Sequence, residues 1–361
     1  MASLDELRNE IDALDEQIVA LLNQRAEAAV GIGRHKKQMG AAVFTPDRER
    51  AVLNRIAELS AGPLSQQSLH AIYRELMSAS FALERPPRVG YLGPEGTFTH
   101  EAAMGKFGAS VEYEPLEHIR GVFDAIKRGH IDYGVVPVEN NSIGGVVLDT
   151  LDAFVRHEVR VCNEIRRAIH LNLMARCPMD EIEAVHSKPE AFRQCQDWLT
   201  ETGFASKVVA SPSTSQAAAE AARGEKIAAI GSTMAARQYG LTILAANIED
   251  NPKNATRFFV LGKDAAKPTG DDRTSLMFVT AHKAGALADV LLVFQRMGIN
   301  MTMITSRPSD KSDVEYNFFV DIDGHAEDAA LAGAIDEAGT HCRTLRVLGS
   351  YPKSTEVVNS E

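Results

Sequence analysis

The stretch Gly-Val-Val-Pro-Val-Glu-Asn-Asn-Ser-Ile-Gly-Gly, residues 134–145, decides the reading of the fold. An apolar run from Val135 to Val138 stops at four polar residues, Glu139, Asn140, Asn141 and Ser142. Gly144 and Gly145 then let the backbone approach whatever lies opposite. A short apolar run bounded in this way is read as a buried strand. Open α/β sheets bind ligands beyond the carboxyl ends of their strands, where this polar cluster would sit. A plain polar turn after a core strand would look the same over these residues alone, so the neighbouring segments must decide.

Working outward, apolar runs at 89–92, 169–174, 227–230 and 258–261 alternate with helical patterns. Such alternation over residues 88–267 predicts a mainly parallel sheet. The runs at 182–187 and the alanine-rich helix at 216–222 predict a second lobe. Polar clusters fall at strand-like ends: Thr97 to Thr99, Ser187 to Gln194, and Asn254-Ala255-Thr256-Arg257-Phe258. Ser213-Thr214-Ser215 opens a helix and serves as a site or only as an N-cap. The early turn Gly90-Tyr91-Leu92-Gly93-Pro94-Glu95-Gly96 spaces its glycines three and three. A dinucleotide fingerprint needs two then three, and Pro94 removes a donor from the would-be phosphate cradle. Nicotinamide binding is disfavoured on that mismatch.

Residues 1–86 are helical. Leu4, Leu7, Ile11, Leu14, Ile18 and Leu21 form one stripe at alternating steps of three and four. A helix running to about Gln38 would be about 50 Å long. Thr45-Pro46 reads as the start of a second helix, and a third carries Leu69, Ile72, Leu76 and Leu83. Two shorter helices cannot cover one long face, so a second subunit is expected to pair through this region. Arg25 takes the next stripe position, where Leu or Ile is expected, and Lys36 falls on nearly the same face. Arg25 either snorkels to the surface or meets an anion, and the missing carboxylate on the stripe leaves the ligand as that anion.

After the turn-rich segment Lys267-Pro268-Thr269-Gly270-Asp271-Asp272, residues 272–352 follow a β-α-β-β-α-β order, the ferredoxin-like arrangement. Lys283-Ala284-Gly285-Ala286-Leu287 puts a glycine before a helix N-terminus, a ready carboxylate site or a plain helix entry.

The chain has 361 residues, enough for two or three domains, and a net charge of −11. That charge disfavours nucleic-acid and anionic-membrane partners. Cys162, Cys177, Cys195 and Cys342 lie far apart and show no metal spacing. No apolar signal core or 18-residue apolar run occurs, so a cytoplasmic protein is expected.

Three resemblances follow from these residues. Leu7-Arg8, the stripe ending at Arg25, Lys36 and Asp47-Arg48-Glu49-Arg50 resemble the all-helical class of chorismate mutase. The resemblance implies a homodimer whose arginines bind the two carboxylates of chorismate, with Arg8 donated by the partner chain. Arg25, Lys36, Arg48 and Glu49 match the remaining positions, and Ser80 and Glu84 complete the expected site. Lys36 and Glu84 would donate to the ether oxygen. Many relatives carry Gln where Glu84 stands, so Glu84 is expected to be protonated and the mutase to favour acidic pH. Thr45 replaces an Asp of some relatives.

The segment from Gly90 to Phe98, Pro137-Val138-Glu139-Asn140-Asn141-Ser142, Ser187 with Gln194, and Thr256-Arg257-Phe258 resemble prephenate dehydratase, in that family's order. This implies a two-lobed, periplasmic-binding-protein-like α/β domain. Prephenate would meet Thr97, Asn140, Ser187, Gln194, Ser215, Thr256 and Arg257, with Thr256 assisting departure of hydroxide and Glu139 as proton source. Arg257 would either grip a substrate carboxylate or order the loop.

Gly285-Ala286-Leu287, Asn300 and Ser306-Arg307-Pro308 resemble the amino-acid-binding ACT domain, which implies phenylalanine as effector, held between paired domains. Thr305 stands where that family has Glu. The chain as a whole thus resembles a bifunctional chorismate mutase/prephenate dehydratase: an all-α domain (1–86), a dehydratase domain (88–267) and an ACT domain (272–352), working without metal or organic cofactor. Two other readings remain open, a dehydratase acting on arogenate and a non-catalytic sensor of aromatic metabolites.

Overall fold

The computed structural model describes residues 2–40, 43–142, 145–309, 312–354 and 357–358; Gly144 of the opening motif lies outside them. Helices α1 (Leu4–Met39), α2 (Pro46–Leu59) and α3 (Gln66–Glu84) form the first domain. A capping box between Ser3 and Glu6 starts α1, and left-handed Gly40 ends it. α3 packs along the second half of α1. The first half is uncovered: Leu4, Leu7, Ile11, Leu14, Ile18 and Leu21 are all exposed. The loop before α2 inserts Phe44 into the next domain, where it is 2% exposed among Phe81, Phe107 and Tyr133. Tyr133 Oη donates to the Phe44 carbonyl at 3.0 Å.

The second domain begins with β1 (Arg88–Leu92), α4 (Phe98–Phe107), β2 (Glu112–Leu116), α5 (Ile119–Arg128), β3 (Tyr133–Asn140), β4 (Gly145–Val146), α6 (Leu148–Arg156) and β5 (Arg160–Ala168). A second lobe follows: β6 (Asn172–Ala175), β7 (Ala184–Ser187), α7 (Pro189–Gln194), α8 (Gln196–Glu201), β8 (Val208–Ala210), α9 (Thr214–Arg223), β9 (Ile227–Gly231), α10 (Thr233–Tyr239) and β10 (Thr242–Ala245). The chain then returns to the first lobe as β11 (Ala255–Gly262). The third domain is β12 (Asp272–Thr280), α11 (Ala286–Arg296), β13 (Met301–Ser309), β14 (Ser312–Asp323), α12 (Ala329–Thr340) and β15 (Cys342–Pro352), and β16 (Val357–Val358) rejoins the first lobe beside β5.

The first-lobe sheet runs β16-β5-β11-β3-β1-β2, the second β10-β6-β9-β7-β8, and the third β13-β14-β12-β15. The expected mainly parallel sheet is corrected to a mixed one. β1 is parallel to β2 and β3, but β11 is antiparallel to both of its neighbours, β3 and β5. The reason is connectivity: β3 and β5 end at the face towards the second lobe, and the returning strand must start there. The two faces of this sheet carry separate cores. Val89, Tyr91, Val135 and Phe258 pack with α4 on one side, and Val136, Phe259 and Leu261 with α5 and α6 on the other. Met277, Phe319, Leu348 and Tyr351 of the third domain complete that second core. The two domains meet without a gap, because a Cβ on Gly349 would lie 2.0 Å from the Val161 carbonyl oxygen. Among the described residues no helix is long and apolar enough to cross a membrane.

Candidate active sites

In the helical domain, eleven residues along α1 return to the same face and bring Arg25 and Lys36 onto one side of α3. Arg25 Nη1 donates to Ser80 Oγ at 2.8 Å, and Ser80 donates to the Leu76 carbonyl. One turn further, Lys36 Nζ stands 3.8 Å from Glu84 Oε2 and donates to the Val43 carbonyl at 2.7 Å. Gly33 permits the approach, since a Cβ there would lie 2.5 Å from Glu84 Cγ. The Glu84 side chain is 7% exposed, and its Oε2 has no hydrogen-bond partner among the described residues. Burial raises its pKa above the usual carboxylate value, and Lys36 only partly offsets this. The cluster therefore sets two cations beside a carboxyl whose ionisation is opposed by burial. Arg48 is exposed, and Glu49 is taken by Lys106 of the next domain at 2.5 Å. Arg8 is 66% exposed at the far end of α1, beside Asp5. Seventeen residues of helix put it about 25 Å from Arg25, out of reach of its own site.

In the α/β domain, a second polar cluster spans both lobes. Register pairs Thr256 with Asn140, and Asn140 Nδ2 donates to Thr256 Oγ1 at 2.8 Å and to Asn254 Oδ1 at 3.0 Å. Gln194, on α7 of the second lobe, donates to Asn140 Oδ1 at 3.2 Å and to Asn254 Oδ1 at 3.3 Å. The Ser142 backbone N–H also donates to Asn140 Oδ1, which fixes the orientation of that amide. Asn254 was not among the expected site residues. It is 1% exposed, and its Nδ2 donor has no partner among the described residues. Its only sequence signal was a polar residue preceding a strand.

The remaining expected residues are placed less directly. Ser187 Oγ donates to the Ile230 carbonyl at 2.7 Å, seven residues before Gln194. Thr97 is the N-cap of α4, accepting from His100 N and donating to the Leu92 carbonyl. Ser215 Oγ donates across the cleft to the Glu95 carbonyl, while Ser213 caps α9. Glu139 and Arg257 line a cavity that Thr256 also borders, but they lie outside the hydrogen-bonded cluster of Thr256. Neighbours on a strand point to opposite faces, so these two meet on the other side of the sheet, 3.9 Å apart. There Arg257 is buried against Glu164, Asp321 and Tyr351. Burial opposes its charge, but Tyr351, Asp321 and Glu164 outweigh burial and hold the guanidinium protonated. It is saturated by protein and has no free fork for a substrate carboxylate.

In the third domain, Gly285, Ala286 and Leu287 line a cavity of about 490 Å³ with Thr280, Tyr316 and Phe318. Asn300 donates to Asp323 at 2.9 Å, and Arg307 forms a two-point ion pair with Asp152 of α6. Asn300, Ser306 and Arg307 do not line that cavity.

Three family models match in chain order: Chorismate mutase type II over residues 7–85, Prephenate dehydratase over 89–266, and ACT domain over 274–340. A bifunctional chorismate mutase/prephenate dehydratase of Aquifex aeolicus is 43% identical over 98% of this chain and 99% of its own length. One from Stutzerimonas stutzeri is 40% identical over 97% and 98%. A solved prephenate dehydratase in complex with L-Phe from Arthrobacter aurescens is 32% identical, with TM-score 0.68, over 75% of this chain and 92% of that one. With matches at this identity over nearly its whole length, the chain belongs to the family of bifunctional chorismate mutase/prephenate dehydratases.

Proposed function

We propose that this chain rearranges chorismate to prephenate in its helical domain, converts prephenate to phenylpyruvate in the cleft of its α/β domain, and is inhibited by L-phenylalanine bound to its third domain. The observation that carries the reading is the presence of two separate, partly buried polar clusters, Arg25–Ser80–Lys36–Glu84 and Asn140–Thr256–Gln194–Asn254, in two domains.

The rearrangement is unimolecular, so the first cluster needs only to hold a compact conformer and stabilise charge on the ether oxygen. Arg25 binds one carboxylate, and Lys36 with protonated Glu84 donates to that oxygen. Arg8 from a second copy supplies the other carboxylate contact. The uncovered apolar stripe of α1 supports a homodimer, since burying it removes a large apolar surface from water.

In the second site, prephenate loses its ring carboxylate as carbon dioxide. The electron pair left behind moves into the ring and expels hydroxide, which leaves as water after taking a proton. Because Asn140 donates to Thr256 Oγ1, the threonine's own O–H is free to point at the departing hydroxyl. Asn254 Nδ2, without a partner among the described residues, is a donor for a substrate oxygen. Arg257 orders the sheet and does not touch substrate. The phenylalanine site rests on the cavity before α11, whose size suits an amino acid.

Supplying chorismate, prephenate and arogenate separately to the purified chain tests the reading. Chorismate absorbance should disappear, prephenate should yield phenylpyruvate, and arogenate should be a poor substrate. A chain that binds these acids but turns none over is a sensor, and the reading fails.

A further inference from the structure

The back of the dehydratase strand is held by the third domain through one buried polar node. Arg257 Nε donates to Glu164 at 2.6 Å, Nη1 to Asp321 Oδ2 at 2.5 Å, and Nη2 to Tyr351 Oη at 2.8 Å. Ser275 Oγ donates to the other Asp321 oxygen at 2.5 Å and lies 2.6 Å from Tyr351 Oη. Arg273 contributes a second cation, 2.8 Å from Glu164. The carboxylates of Glu164 and Asp321 are fully buried. Buried Arg257 and half-buried Arg273 face the two buried carboxylates, and removing one of the buried charges leaves another uncompensated. Four of these six residues, Arg273, Ser275, Asp321 and Tyr351, belong to β12, β14 and β15, so the third domain supplies most of the node.

Arg257 follows Thr256 directly on β11, and the two side chains leave opposite faces of the strand. Whatever shifts the guanidinium shifts the threonine hydroxyl without touching the substrate. The other end of the connection is equally short. β14 carries Phe318 in the wall of the phenylalanine cavity and Asp321 in the node. Three residue steps along the strand separate them, about 10 Å. The node end is buried, and at the cavity end the half-buried Phe318 stacks on the buried Phe278, so a displacement of β14 is carried through packed side chains.

We propose that Arg257 is a positioning residue for the dehydratase reaction, and that the Asp321–Arg257 contact is the route by which phenylalanine occupancy alters the placement of Thr256. This rests on the dehydratase and phenylalanine reading above. Full-length Asp321→Asn keeps the shape of the node and removes its charge. It should lower dehydratase kcat by about tenfold or more, the scale on which a misplaced catalytic group costs rate. KM for prephenate and the mutase rate should stay near wild type. Phenylalanine should still bind by calorimetry, yet inhibit weakly or not at all. Arg257→Lys, which keeps the charge but loses the fork, should behave in the same way. Tyr351→Phe removes a single hydroxyl and should give a smaller shift in the same direction, which covers the case of a misfolded Asp321→Asn. Wild-type kcat together with wild-type inhibition in Asp321→Asn or in Tyr351→Phe overturns the proposal. Wild-type protein that binds no phenylalanine overturns the reading beneath it, and shows this before any variant is made.

Discussion

An ionised carboxylate cannot donate a hydrogen bond, so Glu84 can hold the ether oxygen of chorismate only as the acid. Its burial favours that form by raising its pKa, and the sign of the pH effect follows. The donor is present below the raised pKa and lost as pH climbs through it. Mutase kcat/KM should therefore fall with rising pH, whereas Glu84→Gln donates at every pH and should give a flat profile over the same interval. Parallel pH–rate profiles check this, and an equal fall in both proteins removes Glu84 from the role. Asn254→Ala should lower dehydratase kcat/KM by about tenfold or more, the scale of leaving buried partners unsatisfied, with the mutase rate unchanged. Steady-state kinetics with prephenate reads it out. At this scale the sequence exposed Asn140, Gln194 and Thr256 because each lies in a polar cluster near a recognisable apolar run. Asn254 stood in the same polar cluster as Thr256 but was not singled out, because its partners stand 60 and 114 residues away. Arg257 looked like a substrate ligand for the same reason: Glu164 and Asp321 lie 93 and 64 residues off along the chain.

Elements carry a different kind of dependence. The loop between α1 and α2 supplies the carbonyl that holds Lys36, at Val43, and the next residue is the buried Phe44. A helical-domain cation is thus positioned by a ring seated in the α/β domain. Phe44→Ala should cost about 3–5 kcal/mol of stability, as for other buried Phe truncations, and should depress mutase kcat more than dehydratase kcat. Thermal melting and paired activity assays measure both effects. A variant that loses stability but keeps wild-type mutase kcat would show that the loop only packs. Helix α1 and the β-α-β-β-α-β order of the third domain were legible because periodicity and turn residues are local signals. The direction of β11 was not, because an apolar run carries no sign for parallel or antiparallel pairing. Only the return of the chain from the second lobe sets it.

The whole molecule ties three domains together and leaves one face unfinished. Arg50 of α2 bonds Asp271 and the Lys353 carbonyl, and Phe44 and Lys106 bind the helical domain to the α/β domain. The first half of α1 faces outward with its leucines and isoleucines uncovered. If a second copy covers that face and lends Arg8, then Arg8→Ala and Arg25→Ala are each inactive as mutases. Mixed and reassembled in equal amounts, they should recover about a quarter of wild-type activity, because half of the symmetric pairs are hybrids with one intact site. No recovery would mean that each chain builds its mutase site alone. The account as a whole requires that the two reactions occupy separate pockets of one chain. Chorismate supplied to full-length Thr256→Ala tests this most directly, with prephenate and phenylpyruvate followed together. Prephenate should accumulate at the wild-type rate while phenylpyruvate formation falls by about 100-fold or more, the scale of lost acid assistance. Phenylpyruvate appearing at the wild-type rate, or both steps failing together in a folded protein, would contradict it.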